Sequence, residues 1–332
     1  MGKKVIAIMA GGDSSEHGVS MRSAAGIESW LNKEKYKVYI VEMHRDKWDV
    51  HLHDGSMTEV NRHDFSFDDH GEIIKPDYAY ITVHGTPGED GILQGYFELL
   101  GVPYSTCNVL VCALTFNKFC LNQYLKGFGI RIADSILVRK GMDIKAEDVV
   151  SRLGLPCFVK PNGAGSSFGV SKCKKPEDIV PAIEKAYEEC SEVLIESELN
   201  GMEISNGVYR EKSGKIRVLP ITEIVSENEY FDYDAKYNGQ VEEITPARLS
   251  EDTTKRIQSL TSHIYDILGA SGIIRVDYFI SKKEDSEGKS VDVITLLEIN
   301  ATPGMTPTSF IPQQVKGAGL KMTDVLDEVI ES

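Results

Sequence analysis

The chain has 332 residues, 41% of them hydrophobic and 26% charged. That is long enough for two or three domains, since single cores stop growing at about 250–300 residues. A formal net charge of -15 repels phosphate backbones and anionic lipid at long range, which argues against nucleic-acid and membrane-surface partners. A nucleotide site in such a chain has to be built from a few placed lysines and a divalent cation.

In chain order, residues 5–10 are a continuous apolar run closed by Gly11-Gly12. The run is too short for a signal-peptide core and predicts a buried parallel strand. Residues 19–31 carry apolar side chains at helical spacing, and residues 38–43 and 78–83 predict further strands. Strand, helix, strand is the signature of an open α/β domain, whose ligands sit beyond the carboxyl ends of the strands. The loops of interest are therefore 11–20 and 84–91. Residues 51–70 are polar, mixed in sign and poorly periodic, and predict a loop.

A second unit begins near Asn117. Residues 158–161 predict a strand that enters the Gly/Ser run 162–169, and 170–174 predict the returning strand, so the pair forms a hairpin flap. Pro176 opens a helix with Glu177 and Asp178 in its first turn, where the helix dipole favours acids. Further strands are predicted at 193–196, 203–209 and 216–221, then a polar, aromatic loop over 226–246 and a helix over 253–268. Strands at 273–280 and 291–299 flank a solvated turn at 281–290. The six cysteines form no CxxC pair, as expected for free thiols in a reducing compartment such as the cytoplasm.

Two constellations carry chemistry. Residues i and i+2 of a strand share a face, so Arg275 and Asp277 lie together, as do Glu298 and Asn300. If the two strands are neighbours, Asp277, Glu298 and Asn300 form an all-oxygen set suited to Mg²⁺. The other is Lys160-Pro-Asn-Gly-Ala-Gly-Ser-Ser-Phe-Gly169, whose glycines and hydroxyls let backbone N–H groups approach phosphate oxygens. It lacks the Gly-Lys-Ser/Thr ending of a P-loop and the glycine spacing of a dinucleotide fingerprint.

With Glu196 and Glu203, these segments resemble the ATP-grasp fold: α/β and α+β, with an N-terminal open α/β domain. Three more motifs narrow the resemblance to D-alanine–D-alanine ligases. They are Gly11-Gly12-Asp13-Ser14-Ser15-Glu16 with Val19-Ser20, His84-Gly85 with Gly88-Glu89-Asp90-Gly91, and Tyr233-Asp234-Ala235-Lys236-Tyr237. The similarity runs through nearly the whole chain in the family's order. It implies a substrate-binding domain over 1–117, a central lobe with the flap over 118–203, and a carboxyl-terminal lobe with a lid and metal site over 204–332.

The resemblance further implies an ATP-dependent carbon–nitrogen ligase. ATP phosphorylates the carboxylate of one D-alanine, and the amine of a second attacks the acyl phosphate. Lys118, Lys160, Ser166, Ser167 and Lys236 then meet phosphates, while Glu196, Leu199 and Glu203 line the nucleoside pocket. Asp277, Glu298 and Asn300 hold two Mg²⁺ or Mn²⁺ ions. Arg275 and the backbone N–H of Gly304 stabilise the oxyanion. Glu16 accepts the first D-alanine's ammonium, His84 stands near that substrate, and Ser309 receives the second carboxylate beside Phe310. Tyr237 pairs with Glu16 and Ser166 and favours a dipeptide over a D-alanyl-D-lactate ester, and loop 226–246 acts as a lid. A homodimer in the cytoplasm is expected on the same ground. The departures are Thr86-Pro87 after His84-Gly85, Ser197 where relatives commonly have lysine, and Phe310 where leucine is common. Alternatives are a ligase for another carboxylate–amine or carboxylate–hydroxyl pair and an ATP-binding regulator without catalysis, against which the complete metal and oxyanion set speaks.

Overall fold

The structure, a computed structural model, describes residues 2–163, 169–226, 241–286 and 288–332. The first sheet combines β1 (Lys4–Gly11), β2 (Tyr36–Met43), β3 (Trp48–His51), β4 (Met57–Glu59) and, after the two-stranded hairpin of β5 (Phe67–Asp69) and β6 (Glu72–Ile74), β7 (Tyr78–Ile81). Its order is β4-β3-β2-β1-β7, with β1 parallel to both β2 and β7. Ile6 to Ala10 are fully buried, as a strand covered on both faces requires. Helix α1 (His17–Trp30) packs on one face through Ala24 and Ile27. α2 (Ile92–Leu100) covers the other through Leu93 and Phe97.

Residues 51–70 are not the plain loop expected from their polarity. β4 pairs with β3, and β5 pairs with β6. Asp54-Gly55 and His70-Gly71 turn these hairpins, with Gly55 and Gly71 at φ 86° and 91°. Strands of three residues are too short to show a period of two, which is why composition alone missed them.

Helices α3 (Val109–Phe116) and α4 (Lys118–Lys126) lead into the second sheet. Asn108 and Asn117 cap them, accepting from Val111 N–H and Cys120 N–H. That sheet contains β8 (Ser135–Arg139), then β9 (Cys157–Pro161), β10 (Ser171–Cys173) and β11 (Glu192–Ser197), with α5 (Ala146–Leu153) and α6 (Pro176–Ala186) packed against it. The order is β10-β9-β11-β8, all antiparallel.

The third sheet contains β12 (Met202–Arg210), β13 (Ile216–Ser226), β14 (Val241–Ile244), β15 (Ile273–Glu284) and β16 (Ser290–Asn300). It runs antiparallel throughout in the order β14-β13-β12-β15-β16. α7 (Glu251–Leu268), capped by Ser250, buries Ile257, Ile264 and Tyr265 against it. Helices α8 (Phe310–Gly317) and α9 (Met322–Ile330) end the chain. Val325, Leu326 and Val329 of α9 share one core with Ile6, Ile8 and Ile27, so the end of the chain closes back on the first sheet.

Candidate active site

The third sheet places the acidic set. β15 and β16 are neighbours, with Arg275 opposite Asn300 and Asp277 opposite Glu298. A register shift just past that pair, between Asp277 and Tyr278, breaks the ladder, a device common beside active sites. Ile274 and Val276 point into the core on the other face. Asp277 is buried and well supplied with donors. Arg275 Nη2 donates to its Oδ2 at 2.8 Å, Ser205 Oγ to Oδ1 at 2.7 Å, and Asn300 Nδ2 to Oδ2 at 3.2 Å. Burial disfavours the Arg275 charge, but Asp277, Glu298 and Glu89 outweigh it and hold the guanidinium firmly protonated. Its Cζ lies 5.4 Å from the Phe310 ring centroid, a cation–π contact that fixes its plane.

The second sheet supplies the cations. Lys160 on β9 and Glu196 on β11 form a buried ion pair, and Asn122 Nδ2 donates to the other Glu196 oxygen at 3.0 Å. Lys118 opens α4, and its backbone N–H donates to the Asn162 carbonyl at 3.1 Å. Burial lowers the pKa of Lys118, helped by the charge of Lys160 and opposed by Glu298, Glu89 and Glu196. Lys118 is therefore within electrostatic reach of both Glu298 and the Lys160–Glu196 pair. β9 and β10 pair antiparallel, with Ser171 opposite Val159 and Cys173 opposite Cys157. The chain just past β9 is clamped at Asn162. Asn162 donates to Asn117 Oδ1 at 3.0 Å and to Glu192 Oε2 at 2.9 Å, and accepts from Phe119 N–H at 2.8 Å.

Between the second and third sheets a cleft is lined by Ser197, Leu199, Phe279 and Thr295. Glu203 stands opposite Phe279 across β12 and β15, at the edge of the same region. Ile132 bridges to Leu296, whose N–H donates to the Arg131 carbonyl at 2.9 Å, tying the two sheets at this point.

The first sheet brings its loops to the same place. Gly12 at φ 92° turns the chain sharply, and a Cβ there would lie 2.9 Å from Val83 Cγ1, so only glycine fits. Glu16 stands at the N-terminal end of α1, and its side chain makes no capping hydrogen bond. Ser14 Oγ donates to the carbonyl of His84, itself buried, at 3.2 Å, joining the 11–16 and 84–91 loops. Glu89 is pushed up to about 8, chiefly by burial and further by the charges of Glu16 and Glu298, against a hydrogen bond from Gly85 N–H and the charge of Lys118. Gly304 lies in the loop after β16, where a Cβ would meet Ser309 Oγ at 3.0 Å. Ser309 begins α8 and accepts from Thr306 N–H at 3.1 Å.

Ser166, Ser167, Lys236 and Tyr237 lie outside the described residues. Sequence reasoning passed over Ser205 and Asn122, and quoted Glu89 and Asn162 within motifs without giving either a role. Ser205 shares a face with Glu203 at i+2 and sits opposite Asp277, a signal legible only once the β12–β15 register is known.

Two antiparallel sheets, one carrying Lys160 paired with Glu196 and the other a carboxylate set with a guanidinium, are the arrangement of an ATP-grasp ligase. A family model for the N-terminus of D-ala D-ala ligases matches residues 5–107, and one for the C-terminus matches residues 124–331. The chain belongs to the D-alanine–D-alanine ligase family. A D-alanine–D-alanine ligase from Phocaeicola vulgatus is 62% identical over 99% of this chain and 99% of its own. Among solved structures, a D-Ala:D-Ser ligase from Enterococcus faecalis superposes with a TM-score of 0.82 at 31% identity, covering 99% of both chains. A D-alanine–D-alanine ligase from Bacillus anthracis complexed with ATP gives 0.76 at 26% identity, covering 99% of this chain and 96% of that one.

Proposed function

We infer that the protein joins two D-alanines at the expense of ATP. The observation that supports this reading is the β15–β16 register, which sets Arg275 opposite Asn300 and Asp277 opposite Glu298, with Lys118 within electrostatic reach of Glu298 and Lys160. A carboxylate oxygen of the first D-alanine attacks the γ-phosphorus, and the bond to the β-phosphate oxygen breaks to release ADP. The amine of the second D-alanine then attacks the acyl carbon, the C–N bond forms, phosphate departs and the nitrogen loses a proton. Lys118 and Lys160 neutralise the phosphates, and Ser166, Ser167 and Lys236 contact them as the family's pattern implies. Glu196, Leu199 and Glu203 receive the nucleoside.

Arg275 and Gly304 N–H meet the negative charge that develops on the tetrahedral carbon's oxygen, where a preorganised donor contributes most. Glu16 and His84 hold the first substrate, Ser309 and Phe310 bound the second site, and Tyr237 pairs with Glu16 and Ser166. Asp277, Glu298 and Asn300 fit divalent ions by their chemistry. All three offer hard oxygens, and Asn300 gives its N–H to Asp277 and keeps its carbonyl oxygen for a ligand role. When bound, Mg²⁺ or Mn²⁺ supplies positive charge against the β- and γ-phosphate oxygens.

The three units 1–117, 118–203 and 204–332 carry first-substrate, flap and metal functions in turn, in a cytoplasmic homodimer. No helix among the described residues is long and apolar enough to cross a membrane. The test is phosphate release from ATP and Mg²⁺ on adding D-alanine, with D-lactate and D-serine offered as second substrates. The expected product is the D-alanine dipeptide, and Glu298→Gln should lose about 10³-fold or more in kcat, since a charge on the metal set is removed. Full turnover in that variant would remove Glu298 from the metal set, and phosphate release independent of D-alanine would remove the substrate.

A further inference from the structure

Away from the cleft, at the carboxyl ends of β1 and β2, His17, Glu42 and His44 bring one donor atom each within 4.8 Å of one another. His17 Nδ1 lies 2.9 Å from the Gly12 carbonyl oxygen, which only accepts, so Nδ1 carries a proton. In the neutral ring the Nε2 lone pair then points at Glu42 Oε1, 3.0 Å away. Two electron-rich atoms at that distance need a positive centre between them.

A second proton on His17 would serve that pair alone. His44 Nε2 faces the same carboxylate oxygen at 3.7 Å, beyond hydrogen-bond reach. Its ring also stacks on His17, with centroids 5.2 Å apart and planes 19° from parallel. Charging both imidazoles would set two cations face to face. One metal ion held by two neutral rings and the carboxylate satisfies all three groups at once. Nitrogen and oxygen ligands at roughly 2.0–2.1 Å in a tetrahedron stand about 3.3 Å from one another, a value the 3.0 and 3.7 Å separations bracket.

The surroundings are those of a built site. A ligating histidine commonly gives its other N–H to a backbone carbonyl, as His17 does to Gly12. The second oxygen of Glu42 is taken by His51 Nε2 at 2.8 Å. The side chains of His17, Glu42 and His44 are 30%, 21% and 45% exposed, so an ion from solution can reach them. We propose that His17, Glu42 and His44 bind a borderline first-row divalent ion, Zn²⁺ above all, with water at the open position. Imidazole ligands disfavour Mg²⁺, so this site and the oxygen set of the cleft select different metals. The ion ties the start of α1 to the turn after β2, and so steadies the 11–16 loop that carries Glu16.

The test uses the full chain stripped with chelator and then dialysed, titrated with Zn²⁺ by calorimetry in excess Mg²⁺, and with Co²⁺ by visible absorption. One equivalent is expected to bind and raise the thermal midpoint. Co²⁺ should give the d–d bands of a four-coordinate nitrogen–oxygen site. His44→Ala and His17→Ala should each weaken binding by roughly tenfold or more, while Glu298→Gln leaves it intact. Far-ultraviolet dichroism without metal checks that each variant is folded, and His44, outside α1, keeps the test available if His17→Ala is not. No saturable Zn²⁺ binding, binding unchanged in His44→Ala, loss in Glu298→Gln, or thiolate charge-transfer bands with Co²⁺ would each overturn the assignment.

Discussion

Glu89 holds its proton because three circumstances coincide at one side chain: burial, the neighbouring charge of Glu16 and that of Glu298. Its carboxyl titrates near 4.5 in the unfolded chain and at about 8 in the folded one. Between those values the folded state binds more protons, so the stability this group contributes is complete below the lower value and is lost as pH rises through the upper one. Glu89→Gln keeps the shape and removes the titration. Its thermal midpoint, measured without ligands across that window, should fall less steeply than the wild type's and exceed it at the alkaline end. Equal slopes would show that the charge of Glu89 is already tolerated in the fold. The motif around Glu89 gives no sign of this shift, because the shift depends on groups brought from 73 and 209 positions away (89 − 16 and 298 − 89). Arg275, Asp277, Glu298 and Asn300 are different. Their alternation along a strand is written in the residue order itself, and only the pairing of β15 with β16 had to be supplied by the fold.

At the level of elements, the antiparallel pairing of β9 with β10 was legible because two apolar runs flank a stretch that suits a turn. Its clamp was not, since Asn162 meets Asn117 and Glu192 from separate elements. The short strands β4, β5 and β6 escaped for want of length. Helix α1 shows a further constraint invisible to periodicity. Gly26 is buried in its interior, and a Cβ there would lie 2.8 Å from the Met305 carbonyl oxygen, in the loop next to Gly304. Alanine would gain up to about 1 kcal/mol in helix propensity. Forcing a methyl against backbone costs about 1–3 kcal/mol, so overpacking wins. Gly26→Ala should therefore lower stability by about 1 kcal/mol in denaturant titration. It should lower kcat more than it raises the KM for ATP, because the displaced loop carries the Gly304 N–H rather than the nucleotide contacts. A stabilised variant with unchanged kcat would mean that the loop gives way freely.

Over the whole molecule, periodicity reveals which face of a helix is apolar but not which sheet that face covers. This is why the docking of α9 on Ile6 and Ile8 of the first sheet could not be foreseen from the order of elements. Net charge, by contrast, is fully legible and makes a prediction of its own. At -15 the chain repels the nucleotide at long range, and in the proposed function half-buried Lys118 and Lys160 then act on it at short range. Salt screens the long-range repulsion first, since the Debye length falls to about 10 Å at 0.1 M, whereas enclosed pairs are screened much less. Raising ionic strength from about 20 to 200 mM should thus speed association of Mg-ATP by a few-fold, with dissociation nearly constant. Stopped-flow binding in a bulky-cation salt at fixed excess Mg²⁺ would measure both rates. A chain that steers anions gives the reverse trend. An association rate falling with salt here would mean that the field of the two lysines reaches out into solvent past the acidic surface.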